Sequence, residues 1–197
     1  MPQSASSWVL LAVLASVGFF IGSVSPATMV ARRRRGDLTL GSGNPGATNA
    51  GRVLGLRYGV MVGVLDVLKG LLPALLTLLL VDRVTGYAVG LACVLGHMFS
   101  PFLRGRGGKG VATALGAVLA LLPWLALAML VLFGVVLAAS RWVALASLSA
   151  ALALVVMSLV LPLPEPVALG RVWGVVIGLL VMVRHQPNLR RWLTARR

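Results

Sequence analysis

The chain has 197 residues, enough for one compact domain, and its composition says more than its length. Hydrophobic residues make up 59% and charged residues 11%, about half the charged share of soluble domains, which excludes a disordered chain and an ordinary soluble globule. The 18 Lys and Arg against 4 Asp and Glu give +14, which in an integral membrane protein marks cytoplasmic loops, anionic headgroups or a phosphate-bearing substrate rather than nucleic acid.

A bilayer core of roughly 30 Å takes about 20 apolar residues per helix. The first run, 8–30, has no basic segment before it and reads as a first span, not a cleavable signal. Spans at 58–81 and 86–103 follow. The second of these holds Cys93, the one cysteine, which excludes an intrachain disulfide and reads as a packing residue. From Val111 to Ser140 the apolar run is interrupted by Pro123-Trp124. As one straight helix it would reach about 45 Å, so two short spans, 111–122 and 124–140, are the alternative. Spans at 142–161 and 167–183 complete the set, the last carrying Arg171 near its start.

Charge chooses between the counts. Seven spans with the amino terminus outside put every Lys and Arg on the cytoplasmic side except Arg83, Arg171 and Lys69, the last within a span. A single crossing through 111–140 would move Arg184 and the carboxy-terminal arginines outside, against the positive-inside bias. The expected fold class is therefore all-α: a seven-transmembrane-helix bundle, one transmembrane domain over 1–197, with the amino terminus outside and the carboxy terminus cytoplasmic. Its motif loops, 31–57, 104–110 and 184–197, then share the cytoplasmic face. The Arg32–Arg35 run reads as a topology signal rather than a substrate site.

Three segments on that face carry polar chemistry. Gly41-Ser42-Gly43-Asn44-Pro45-Gly46-Ala47-Thr48-Asn49, followed by Arg52, can turn back repeatedly and aim backbone N–H groups at one point, as an anion-binding nest does. Gly96-His97 and then Arg104-Gly105-Arg106-Gly107-Gly108-Lys109-Gly110 lead into an apolar helix beginning Val111-Ala112-Thr113. Glycines, cations and a helix amino terminus together make a phosphate cradle, although the Walker spacing is absent. Arg184-His185-Gln186-Pro187-Asn188 with Arg190 and Arg191 lies beyond the last span. Within the second span, Asp66 and Lys69 sit three residues apart and read as a buried structural ion pair.

With Asp37, Asp66, Asp82 and Glu165 as the only acids, no cluster suits a metal, and no cofactor is expected. A His-x4-Asp arrangement is absent too, since Phe102 and Arg190 stand at that spacing from the two histidines. The site is built from glycine, amide, hydroxyl and cation, a set suited to phosphate.

These segments resemble those of the acyl-phosphate:glycerol-3-phosphate acyltransferases of bacterial membranes, the PlsY type. The resemblance rests on Gly41 through Asn49 with Arg52, on Gly96-His97-x-Phe99 with Gly107-Gly108-Lys109-Gly110-Val111-Ala112-Thr113, on His185-x-x-Asn188 with Arg191, and on Asp66-x-x-Lys69-Gly70. It departs from the family at Gln186, where Arg is usual, at Ala195 and Arg197, where Gly and Glu are usual, and at Gly105-Arg106, where an aromatic and a lysine are common.

The resemblance implies transfer of a fatty acyl group from membrane-dissolved acyl phosphate to the sn-1 hydroxyl of glycerol 3-phosphate, giving lysophosphatidic acid and phosphate. It implies a multi-pass protein of the bacterial cytoplasmic (inner) membrane, in contact with membrane lipids and linked in function to an enzyme that makes acyl phosphate. The catalytic set it implies is Ser42, Arg52, Lys109, His185 and Asn188. Phosphate and substrate binding would fall to Gly43, Asn44, Gly46, Thr48, Asn49, His97, Arg106, Gly107, Gly108, Gly110 and Thr113. The proton of the attacking hydroxyl has two candidate acceptors, His185 and the departing phosphate; a Ser42 acyl-enzyme is a third route. The alternative function is a phosphate or phospho-ester transporter, which would call for polar or broken helices near the midplane in two repeats. A lipid-binding scaffold would account for the charge but not for the Asn/Ser/Gly loop.

Overall fold

The computed structural model describes residues 5–188, and every regular element among them is helical. In a bilayer this is the expected outcome for long apolar runs, because a helix satisfies its own backbone where no water can. In chain order the helices are α1 (Ala5–Ser23), α2 (Pro26–Arg33), α3 (Ala47–Leu54), α4 (Leu56–Leu80), α5 (Arg83–Met98), α6 (Val111–Leu121), α7 (Pro123–Ser140), α8 (Val143–Val160) and α9 (Val167–Val183). Short 3₁₀ turns stand at Leu38–Leu40 and Pro101–Leu103.

The first apolar run is not the unbroken helix its composition suggests. Ser25 is extended (φ −107°, ψ 99°) and its hydroxyl accepts the Thr28 N–H at 3.3 Å, while Pro26 opens α2 where its missing N–H costs nothing. The break frees carbonyls at the end of α1, and polar groups from elsewhere take them up. Ser100 Oγ donates to the Ser23 carbonyl at 2.7 Å, and Lys69 Nζ donates to the Val24 carbonyl at 2.7 Å.

Asp82 caps α5, its carboxylate accepting the Thr85 N–H at 2.8 Å and the Thr85 hydroxyl at 2.9 Å. The long run from Val111 divides at Leu122, with Pro123 in the first turn of α7. Six stretches among the described residues are long and apolar enough to cross a membrane: Ala5–Arg33, Leu56–Leu80, Arg83–Leu103, Pro123–Ser140, Val143–Val160 and Val167–Asn188. α6 has 11 residues, about 16 Å of helix against a bilayer core of about 30 Å.

The chain forms two compact units, the first ending at Leu121 and the second beginning at Leu122. In the first, α1 packs along α5, α4 packs along α6, and α4 also meets α3 and α5. In the second, α8 packs against α7 and α9. Small residues let these helices touch backbone to backbone, as lipid-embedded helices do when hydrophobicity supplies no drive between them. A methyl group at Gly22 would fall on the Cys93 backbone, and one at Gly96 on the Phe19 carbonyl. Gly116 meets the Val67 carbonyl in the same way, and in the second unit Gly178 approaches the Ala151 carbonyl. Cys93 itself is fully buried in this packing. Large apolar side chains such as Phe20, Leu79, Trp124 and Val160 face outward, the reverse of a soluble fold.

Candidate functional site

α2 shows how the first motif segment is held. Its inner face buries Ala27 and Val30 against Ala50 of α3 and Val62 of α4, which leaves Thr28 and Arg32 beside the loop that follows. Asp37 then caps the Leu38–Leu40 turn, its carboxylate accepting the Thr39 N–H at 2.8 Å. That bond holds the Asp37 carboxyl below the usual carboxylate range.

From Gly41 to Gly46 the chain folds around Asn49, which is buried on α3. Asn49 Oδ1 accepts the Ser42 N–H at 2.7 Å and Nδ2 donates to the Leu38 carbonyl at 2.8 Å. A methyl group at Gly41 would collide with that Oδ1. Several amides of the expected nest find partners within the segment. The Gly43 N–H goes to the Leu38 carbonyl, the Asn44 N–H to Ser42 Oγ, and the Gly46 N–H to the Asn44 carbonyl. These short-range bonds shape the loop. Ser42, Asn44 and Gly46 are half-buried; Gly43, Thr48 and Arg52 are exposed.

The second segment is ordered in the same way. Arg104 and Gly105 take left-handed conformations (φ 52° and 75°), which turns the chain back onto the end of α5. The N–H groups of Gly107 and Gly108 then donate to the Met98 and His97 carbonyls at 3.2 and 3.0 Å, satisfying groups that the helix end leaves open. Both glycines are needed for contact: a methyl at Gly107 would strike the His97 carbonyl, and one at Gly108 the His97 imidazole. The amides of these two glycines, expected as donors in a phosphate cradle, are taken by the end of α5. Gly110 is buried and Lys109 half-buried just before that helix; Thr113, in its first turn, is fully buried with no partner for its hydroxyl.

The two segments meet. A hollow of about 340 Å³ is walled by Thr28 and Arg32 of α2, Asp37, Gly43 and Pro45 of the first loop, and Arg106 of the second. Two guanidinium groups against one carboxylate give it a positive balance suited to a phosphate ester. Thr28 is not singled out by the sequence, and Arg32 figures there only in a run read as a topology signal. The break at Ser25 that re-aims α2 was the signal, in the form of Ser-Pro inside an apolar run.

Beneath the second loop, Asp66 and Lys69 form a buried ion pair at 2.9 Å, and His97 Nδ1 lies 3.4 Å from the same Asp66 oxygen. The expected Asp66–Lys69 pair thus has a third member contributed by the motif histidine.

His185 and Asn188 belong to the second unit. His185 is buried at the end of α9, where Nδ1 donates to the Val181 carbonyl at 2.8 Å. A carbonyl can only accept, so in the neutral ring Nε2 is the basic nitrogen. The Asn188 N–H donates to the His185 carbonyl at 2.9 Å, closing a turn that carries both side chains. Arg190, Arg191, Ala195 and Arg197 lie outside the described residues. Among the described residues no three His, Cys, Asp or Glu side chains gather as a metal site would require.

The profile of the glycerol-3-phosphate acyltransferase family matches residues 12–195. The chain belongs to that family. A glycerol-3-phosphate acyltransferase of Aquifex aeolicus is 42% identical over 182 residues, covering 90% of this chain and 93% of the relative. One of Geotalea daltonii is 41% identical, with 91% and 92% covered. Crystal structures of PlsY, an integral membrane glycerol 3-phosphate acyltransferase, are similar in fold. Its glycerol 3-phosphate form gives a TM-score of 0.88 at 39% identity, covering 94% of this chain and 93% of that one. Its lysophosphatidic acid form gives 0.85 at 38% identity with the same coverage. This member of the glycerol-3-phosphate acyltransferase family is an all-helical integral membrane protein of the PlsY type.

Proposed function

We propose that the chain acylates glycerol 3-phosphate at its sn-1 hydroxyl, taking the acyl group from acyl phosphate and releasing lysophosphatidic acid and phosphate. The observation that carries this reading is the hollow where Arg32, Gly43 and Arg106 come together from three separate segments. It offers charge and shape for a phosphate ester. The two similar PlsY structures are a glycerol 3-phosphate form and a lysophosphatidic acid form, which correspond to the acceptor and product of this reaction.

An acyl phosphate is a mixed anhydride and already activated. The acceptor oxygen adds to its carbonyl carbon, charge develops on the carbonyl oxygen, and the carbon–oxygen bond to phosphate breaks with the electron pair leaving on phosphate. Cations are the natural stabilisers of both charges, and Arg52 and Lys109 are assigned this work, with Ser42 and Thr48 as hydrogen-bond donors to phosphate oxygens. His185 and Asn188 are assigned to the attacking hydroxyl, whose proton passes to His185 Nε2 or to the departing phosphate. Thr113 and Asn44 complete the phosphate contacts. No step calls for a metal or cofactor.

The same reading gives residues 1–197 as one transmembrane domain with seven spans, α6 being the short one, in the bacterial cytoplasmic membrane. The amino terminus is outside and the site opens to the cytoplasm, where an acyl-phosphate-producing enzyme would deliver the donor. Purified protein given glycerol 3-phosphate and labelled palmitoyl phosphate, palmitoyl-coenzyme A or palmitoyl-acyl carrier protein tests it. Labelled lysophosphatidic acid is expected from palmitoyl phosphate, with the acyl group at sn-1. Product from a thioester and none from the phosphate would overturn the donor; no product from any donor would overturn the activity.

A further inference from the structure

We propose that Asp66 is a positioning residue for the glycine-rich loop, acting on Gly107 and Gly108 through His97; the inference rests on reading that loop as part of the glycerol 3-phosphate site. Asp66, Lys69 and His97 are all buried between helices in a lipid-facing unit, where ionisable groups are costly and rarely kept without use. Lys69, at 2.9 Å, already supplies the counter-charge that Asp66 needs. The second neighbour, His97 Nδ1 at 3.4 Å, has a different consequence, because it fixes which way the imidazole faces.

The opposite edge of that ring meets the loop. Nε2 and Cε1 lie where a Gly108 side chain would stand, and the His97 carbonyl accepts the Gly108 N–H at 3.0 Å. The loop is therefore seated on His97 through both ring and backbone, and α6 starts three residues later. A change in the tilt of that ring alters the surface on which Gly108 packs. Lys69 is anchored independently to the Val24 carbonyl, so it does not share this route to the loop.

The test compares steady-state kinetics and thermal unfolding of the full-length protein with three variants. His97→Gln removes the ring. Asp66→Leu combined with Lys69→Met removes the link without leaving an uncompensated ammonium or an amide oxygen that could still accept from His97. A third variant carries all three changes. The KM for glycerol 3-phosphate should rise about tenfold, the order expected for one charge-assisted hydrogen bond, while that for acyl phosphate moves less than about threefold. The triple variant should be no worse than His97→Gln alone, since both changes break one link. Asp66→Glu retains both charges and lengthens the arm; should the neutral pair not fold, this variant carries the test, and the same selective KM rise is expected. Additive KM effects, or loss of kcat with KM unchanged, in folded variants would overturn the inference and leave the activity standing. A wild-type protein that makes no lysophosphatidic acid would overturn both.

Discussion

The Asn49 carboxamide stands in for a backbone partner of Ser42, accepting its N–H at 2.7 Å while donating to the Leu38 carbonyl at 2.8 Å. One side chain thus pins both limbs of the first motif loop to α3. Asn49→Ala should lower the unfolding temperature, since it leaves the part-buried Ser42 N–H without its acceptor, at about 1 kcal/mol, and takes one of its donors from the Leu38 carbonyl. Asn49→Asp is the sharper probe, because it keeps the acceptor for Ser42 but sets a carboxylate oxygen against the Leu38 carbonyl. Both should raise the KM for glycerol 3-phosphate, and Asp should be at least as damaging as Ala. An Asp variant with wild-type kinetics would show that the Leu38 contact is dispensable.

Arg32 and Asp37 face one hollow with opposite charge, so their variants should move binding in opposite directions. Arg32→Ala should raise the KM for glycerol 3-phosphate severalfold, about the effect of one charge-assisted hydrogen bond. Asp37→Asn retains the cap on Thr39 but removes a repulsion, so KM should fall by about two- to threefold at low salt and return towards wild type as salt screens the site. The depressed Asp37 pKa fixes the sign of its own pH effect. Its cap is fully present above the ordinary carboxylate range and is lost as pH falls through the lowered folded value. Unfolding curves of wild type and Asp37→Asn should therefore converge in acid.

The all-helical character and the motif loops were legible because apolar run length and glycine-rich polarity are properties of neighbouring residues. Other features depend on contacts that sequence spacing does not encode. Asp66 and His97 are on different helices, and only the packing of the first unit brings them to 3.4 Å. The break at Ser25 is announced by Ser-Pro, yet the apolar residues on both sides outweigh it in any window long enough to find a span. The amides of Gly107 and Gly108 look like free donors until the α5 carbonyls that accept them are in place. His185 has no carboxylate within its own motif, and the group that orients it, the Val181 carbonyl, belongs to every residue and so carries no sequence signal.

Topology makes a separate prediction. Seven spans would gather the basic residues in loops on one face, and the positive-inside bias then predicts an outside amino terminus. Alkaline phosphatase fused after Arg197 should be inactive, and a cytoplasmic reporter at the same point active. The reverse pattern would require α6 to lie within one leaflet without crossing, consistent with its 11-residue length, and would remove the seven-span reading.

The proton of the attacking hydroxyl gives the last prediction. The Val181 carbonyl orients the His185 ring and leaves Nε2 as the basic nitrogen, but it carries no full charge to raise the basicity of that ring as a carboxylate would. The departing phosphate is an anion bonded to the reacting carbon, with a second ionisation near pH 6, so it is positioned and basic enough to take the proton itself. If the phosphate takes the proton, His185 serves only to hold the hydroxyl. His185→Ala should then cost more than His185→Gln, because an amide replaces the hydrogen bond without offering a base at neutral pH. If Nε2 were the base, both variants should lose about two to four orders of magnitude in kcat. The expected result is substantial turnover in His185→Gln, with the acid limb of the pH–rate profile unchanged from wild type. Complete loss in His185→Gln and His185→Asn, in protein that is folded and still binds glycerol 3-phosphate, would transfer the proton to the imidazole.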